Sequence, residues 1–263
     1  MALSLENLVR KQADKTPRML FYGVPKIGKT SLASEFPKAI FIQTEEGAGD
    51  LHVTTFKDEP LGSYAEVEEA IGLPYEGEHD FETVVLDSLD WLEPIIWAET
   101  CRANGWKSIE DPGYGKGYVE ADKHWRHILD GLNALRDRGM TVILIAHSEV
   151  KTFADPERDS YDRYQIKLHK RAAAMSHEMC DVIGFLNYQV TTVKEKGGFN
   201  KERARGAGSG QRVLYLDERP TFIAGSRFEM PAQISLVKGQ GYSALAPYLP
   251  VHRDTHQTET EAA

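Results

Sequence analysis

Residues 20–31 read LFYGVPKIGKTS: an apolar run stops at a glycine, and five residues later comes Gly-Lys-Thr-Ser. Gly23, Val24, Pro25, Lys26, Ile27, Gly28, Lys29 and Thr30, with Ser31 following, fit G-x-x-x-x-G-K-[ST] at every fixed position. The flanks decide whether that match has meaning. Arg18–Tyr22 reads as a short buried strand, and Thr30–Phe36 as a helix that stops before Pro37. A glycine turn between the two aims backbone N–H groups at an anion, and the helix N-terminus adds its partial positive charge. In that setting Lys29 reaches the β- and γ-phosphates of a nucleoside triphosphate and the Thr30 hydroxyl holds Mg²⁺. A chance glycine turn ending in lysine would not bring both flanking elements with it. A nucleoside triphosphate and Mg²⁺ are the expected ligands.

Working outward, the chain reads as strand-then-helix units. Ala39–Gln43 is a second apolar run, ending in Thr44-Glu45-Glu46-Gly47. Residues 63–71 form a short helix, and Glu82–Asp87 a third strand with an acid at its end. Tyr118–Asp137 carries Trp125, Ile128, Leu129, Leu132 and Leu135 on one helical face, closed by Gly139. Thr141–Ala146 is a fourth strand, capped by His147, and Asp181–Leu186 a fifth. Continuous apolar strands alternating with helices predict a parallel sheet covered on both faces. Beyond residue 187 the pattern changes: Tyr188–Lys194 and Gln211–Asp217 read as a hairpin around a glycine-rich basic insert, and Thr221–Ala224 as a further strand.

Bulk properties narrow the function class. The 263 residues suit one substantial α/β core, and 41% hydrophobic with 27% charged residues is the balance of an ordinary globular protein. No apolar run reaches the ~18 residues that crossing a membrane needs, and residues 1–17 lack the apolar centre of a signal peptide. Cys101 and Cys180 have no metal-ligand or redox spacing and suit a reducing cytoplasm. A net charge of −9 exerts no global pull on nucleic acid, so any such contact needs a local basic patch. His124 and His127 lie one helical turn apart, without an acid or cysteine in sequence to complete a metal site.

Several acids and one histidine complete the expected nucleotide site. Asp87 ends a hydrophobic strand, where a second Mg²⁺-organising carboxylate must sit beside the phosphates. Glu45 and Glu46 follow the second strand at the same edge, where one of them can orient or deprotonate water; the plain alternative is a pair of solvated loop acids. His147 ends the fourth strand, in position either to sense the γ-phosphate or to be a satisfied edge histidine.

These residues resemble the RecA-like ATPases. FIQTEEG resembles the second strand of that family, which ends in a catalytic glutamate matching Glu45. TVVLDSLDWLEP resembles its second nucleotide motif, giving Asp87 and Ser88, and TVILIAHSEVK its sensor strand, with His147 as in RadA-like members. A closer resemblance is to phage-encoded RecA-core ATPases of single-strand annealing, carried by GVPKIGKTSLA, DPGYGKGY and SYDRYQIKLHKRAA and covering about residues 17–235. It implies a RecA-like P-loop NTPase core with a mainly parallel sheet and a C-terminal β-hairpin extension. It also implies a DNA-stimulated ATPase acting in the cytoplasm of a bacterial host, with Lys29, Glu45, Asp87 and His147 as catalytic residues. Only 17 residues precede the first strand, where recombinases carry a polymerisation motif, so the resemblance leaves filament against ring open. In AGSRFEMP, Arg227 alone keeps the family's subunit-bridging element.

The DNA contact is expected in residues 194–212, KEKGGFNKERARGAGSGQR. Lys194, Lys196, Lys201, Arg203, Arg205 and Arg212 stand against Glu195 and Glu202, and Phe199 offers a stacking face. Cations for phosphates and a π-face for bases are what single-strand binding requires, and the glycines make the segment a mobile loop. Residues 148–171 form a second loop of mixed charge, suited equally to DNA or to a neighbouring subunit. The domain plan is an amphipathic segment 1–17 with Leu5, Leu8 and Val9 suited to packing on a neighbour, an ATPase domain 18–250, and a disordered tail 251–263. Expected partners are single-stranded DNA, further copies of the chain in a ring or filament, and a single-strand-binding protein, without a membrane. A replication helicase or loader on the same core, and a nucleotide-switched binding protein with little turnover, remain the alternatives.

Overall fold

A computed structural model of the chain describes residues 15–47, 49–157, 159–197 and 201–250, and side chains outside 190–209. Residues 1–14 of the expected segment 1–17, the expected tail 251–263, and Phe199 lie outside the described residues.

Six strands build the parallel body of the sheet: β1 (Arg18–Gly23), β2 (Ala39–Gln43), β3 (Thr54–Thr55), β4 (Thr83–Asp87), β5 (Thr141–Phe153) and β7 (Val182–Gly197). Their order is β3-β2-β4-β5-β1-β7, and β8 (Lys201–Tyr215) and β10 (Gln233–Leu236) extend it antiparallel beyond β7. The α/β class expected from the alternation is the class observed. Strand alternation sorts the core into two layers. Leu20, Tyr22, Val84, Leu86, Val142 and Leu144 face one, while Met19, Phe21, Val85, Ile143 and Ile145 face the other. Because both layers are apolar, every central strand reads as an unbroken hydrophobic run.

Helices α2 (Tyr64–Glu76), α3 (Leu89–Asn104), α4 (Lys116–Asp137) and α5 (Lys170–Met179) cover the first face, and α1 (Lys29–Ser34) and α6 (Gly241–Leu245) the second. Helix α2 starts on a capping box between Ser63 and Glu66 and runs past the expected end at 71, carrying a buried Pro74 in its last turn. Helix α3 was not anticipated, although Leu89, Leu92, Glu93, Ile96 and Thr100 are buried at helical spacing. Gly139, at φ 96°, ends α4 as expected.

Two expected loops are strands instead. Residues 148–153 continue β5 and pair antiparallel with β6 (Tyr161–Ile166), because EVKTF and YDRYQI each alternate in polarity. Within this hairpin Arg163 is buried, bonded to Glu218 and to the Phe222 carbonyl, and beyond it Arg171, at the start of α5, pairs with Asp122. The basic insert is likewise paired backbone, with Lys194 opposite Ala204 and Gly197 opposite Lys201, so the expected loop is a hairpin with long arms. Thr221–Ala224 makes only two isolated bridges, both through Phe222, to Tyr164 and to Arg219; the strand there is the short β9 (Gly225–Ser226), paired with β7.

Candidate nucleotide site

The site forms where β1, β2, β4 and β5 end at one edge of the sheet. Strand β5 lies between β1 and β4, which sets His147 level with Gly23 and two positions beyond the Asp87–Ile145 pair. A second tie brings β2 in: Thr44 N–H donates to the Asp87 carbonyl (2.8 Å), and its hydroxyl donates to the Ser88 carbonyl (2.8 Å). Glu45 is thereby delivered beside Asp87. A cavity of about 500 Å³ results, lined by Pro25, Lys26, Gly28, Lys29, Thr30, Ser31, Glu45, Asp87, His147 and, unexpectedly, Lys238 among others.

The loop residues divide into those that face the cavity and those that shape it. Gly28 adopts φ 102° at the head of α1, a left-handed conformation that disfavours any side chain. At Gly23 a Cβ would meet the Leu186 carbonyl at 2.4 Å, so glycine permits the close passage of β7. Ile27 is buried in the second core layer and pins the loop to the domain. Val24 and Gly23 offer their carbonyls to Lys29 Nζ, at 3.1 and 3.2 Å. Lys29 is 5% exposed. Burial pulls its pKa below the ordinary value, with Asp87, Asp90 and Glu45 opposing.

Thr30 Oγ1 donates to Asp87 Oδ2 at 2.7 Å. Burial pushes the Asp87 carboxyl up to about 6, the Thr30 hydrogen bond working against it and the nearby Glu45 with it. Beside the Asp87 carboxyl, Gly47 leaves space: a Cβ there would lie 3.8 Å from Asp87 Oδ2 and 3.9 Å from Thr30 Oγ1. A hydroxyl, a carboxylate and room for water are the hard-oxygen surroundings that Mg²⁺ prefers. Thr30 and Asp87 fit it, and the bound ion would neutralise charge on the phosphates.

Glu45 is mostly buried, whereas Glu46 is exposed. Glu45 Oε1 lies 3.8 Å from His147 Nδ1. The same ring nitrogen lies 2.9 Å from Asp90 Oδ2, and His147 N–H donates to Asp90 Oδ1 at 2.9 Å. Burial works to raise the Asp90 pKa, but the hydrogen bonds and charge of His147 outweigh it and hold the carboxyl below its ordinary value. Asp90 escaped the sequence reading because its helix did; its signal was a second acid one turn after Asp87 in DSLD.

Arg212 is elsewhere than expected. Its guanidinium lies behind the phosphate loop, donating to the Ile27 carbonyl at 3.5 Å, because β8 runs beside that loop. Gly28 faces it closely: a Cβ there would stand 2.2 Å from Arg212 Nη1. Of the expected DNA-binding residues, Arg212 thus has its side chain beside the phosphate loop. Lys194, Lys196, Lys201, Arg203 and Arg205 lie on the paired arms of β7 and β8, with their side chains outside the described set. Arg227 is engaged within the chain: Nη1 meets Asp181 Oδ1 at 2.9 Å, and Nη2 donates to the Glu178 carbonyl at 3.0 Å.

The family profile of the AAA domain matches residues 15–228, from just before β1 to just after β9. The chain belongs to the AAA domain family. Its core is a mostly parallel sheet flanked by helices, with the phosphate-loop motif between β1 and α1. A KaiC-like protein from the hyperthermophilic archaeon Pyrococcus horikoshii OT3 is similar to it with a TM-score of 0.41 and 14% identity, over 85% of this chain and 91% of that one. No curated protein matches the chain. Among the described residues no helix of this AAA domain is long and apolar enough to cross a membrane.

Proposed function

We propose that the chain hydrolyses ATP to ADP and phosphate and couples that cycle to binding single-stranded DNA in recombination or annealing. The observation that carries the hydrolytic part is the Thr30–Asp87 contact, with buried Lys29 on one side and the Glu45–His147–Asp90 group on the other. Lys29 already gathers carbonyl oxygens, so its ammonium is held where phosphate oxygens can replace or join them. Glu45 accepts a proton from water at the open end of the cavity, as a carboxylate does in general-base chemistry. His147, fixed by Asp90, presents its ring to the same space and reports whether the terminal phosphate is there.

Support for the DNA part is the charge of the β7–β8 hairpin, five cations between residues 194 and 205 in a chain of net −9. Counterion release from such a strip provides affinity for a phosphate backbone without sequence preference. His147 gives a route from nucleotide to partner, because its carbonyl accepts from Lys167 N–H (2.8 Å) just after the β5–β6 hairpin. Oligomerisation, with Arg227 released from Asp181 to reach a neighbour, belongs to the same reading.

The test is ATP turnover with and without single-stranded DNA, alongside strand annealing and unwinding, using Lys29→Ala as the inactive control. Turnover stimulated by DNA with annealing supports the proposal. Unwinding in place of annealing points to a helicase or loader, and nucleotide binding with negligible turnover to a switched binding protein. Undiminished turnover in Lys29→Ala sinks the site assignment.

A further inference from the structure

Lys238 enters the nucleotide cavity from a part of the chain that carries no nucleotide motif. It follows β10, in a turn spanning residues 237–241 that folds back on the end of α1. The turn is held by one carboxylate. Glu35, the C-cap residue of α1, accepts from Gly239 N–H at 2.8 Å, from Tyr242 N–H at 3.2 Å, and from Gly241 N–H. Gly239 adopts φ 78°. A Cβ at Gly241 would meet Leu32 at 2.4 Å, so the backbone lies directly against α1. Phe36 and Tyr242 close the contact, their ring centroids 4.8 Å apart.

The turn's arrangement leaves one side chain aimed at the cleft. Among the described residues the Lys238 ammonium has no carboxylate partner, although acids are close at hand in the cavity wall. That wall holds Lys26, Lys29 and Lys238 against Glu45, Glu46, Asp50 and Asp87. Lys29 Nζ is occupied by two backbone carbonyls. A polyphosphate entering this cleft brings further negative charge that the motif lysine alone does not balance, and a mobile ammonium on the rim answers that need.

We propose that Lys238 is a nucleotide-binding residue that contacts the phosphate tail of ATP, and that Glu35 is the positioning residue that holds its turn in place. The inference rests on the ATP reading above and extends it to a second, C-terminal source of phosphate-binding charge. Because α1 begins at the phosphate loop and is capped by Glu35, one short helix joins the loop to the Lys238 turn.

The test is titration of fluorescent ATP into the full chain at low and high salt, paired with steady-state turnover. Lys238→Ala is expected to weaken ATP binding about fivefold at low salt, the scale of an exposed ion pair, and less at high salt. The loss falls on KM rather than kcat, and Lys238→Arg recovers most of it. Glu35→Ala is expected to match that loss, and Glu35→Ala with Lys238→Ala to add little further. Wild-type affinity in Lys238→Ala at low salt overturns the proposal, as does a loss indifferent to salt, which would place Lys238 against the base. Fully additive losses overturn the clamp. If Glu35→Ala does not fold, Lys238→Ala and Lys238→Arg decide the matter alone. Failure of the wild-type chain to bind ATP would sink the ATP reading together with this one, whereas tight wild-type binding with an indifferent Lys238→Ala sinks only the inference.

Discussion

Asp90 grips His147 at two points: one carboxylate oxygen accepts from its backbone N–H and the other faces Nδ1, each at 2.9 Å. The grip orients the ring toward Glu45, 3.8 Å from the same nitrogen. A residue acting through another in this way typically contributes on the order of 10-fold. Asp90→Asn should therefore lower kcat by about that factor with little change in ATP affinity. His147→Ala should remove the effect, so that Asp90→Asn costs little more in that background. Independent, multiplying losses in the double variant would show that Asp90 acts elsewhere.

Glu45 and Glu46 are adjacent in sequence but differ in surroundings, one mostly buried against His147 and one exposed. Glu45→Gln should reduce kcat by 10²-fold or more, roughly the lower end for a general base, while leaving ATP affinity largely intact. Glu46→Gln should cost far less. A more damaging Glu46→Gln in steady-state kinetics would reverse the assignment.

Asp87 links nucleotide binding to pH. Its pKa rises from 3.8 to about 6 on folding, chiefly by burial, so the folded chain favours the protonated carboxyl. The stability this lends is complete below pH ~4 and is lost as pH climbs through 6, on the order of 3 kcal/mol for two pKa units. Asp87→Asn should accordingly raise the Tm of the nucleotide-free protein at pH 8 and leave it nearly unchanged near pH 4. Mg²⁺ needs the ionised form, so Mg²⁺-dependent ATP affinity should fall as pH drops below 6. Calorimetry at several pH values checks both, and a Tm gain absent at pH 8 counts against the burial argument.

The β7–β8 hairpin carries cations whose effect is measurable without knowing their side-chain positions. Changing Lys201, Arg203 and Arg205 together to Ala should reduce the slope of log K against log salt for single-stranded DNA by roughly 2. Basal turnover should persist while DNA stimulation falls. Phe199→Ala should weaken binding by about 1–3 kcal/mol, the scale of one stacked base, with the slope unchanged. Wild-type binding by the triple variant across a salt titration would mean that the hairpin is only solvated.

Arg212 provides the contrast, since its guanidinium supports the phosphate loop through Ile27. Arg212→Ala should weaken ATP binding several-fold, the loss of about one hydrogen bond to a charged group, and should leave the DNA salt slope as in wild type. A reduced slope in a DNA titration would instead place Arg212 with the DNA-binding cations.

By itself, the sequence determined much of what is local. The glycine spacing of the phosphate loop, its strand and helix flanks, Asp87 at a strand end and the apolar runs of the sheet each depend on neighbours within a few residues, so short-range patterns reveal them. The class of fold followed from the same runs, because strands apolar on both faces need helices on both faces. Hairpins were less legible: alternation in 148–166 and around the basic insert was outweighed by charge and glycine, which suggested loops. Tertiary structure alone decided which strand lies beside which. Setting β5 between β1 and β4 is what brings His147 to Asp90 and Glu45, and no spacing in the chain encodes that adjacency. Running β8 and β10 past the phosphate loop turned Arg212 toward Ile27 and brought Lys238 into the cavity. Those contacts come from long-range strand pairing and from the backbone hydrogen bonds to Glu35, which join segments far apart in the chain and so leave no periodic trace in either.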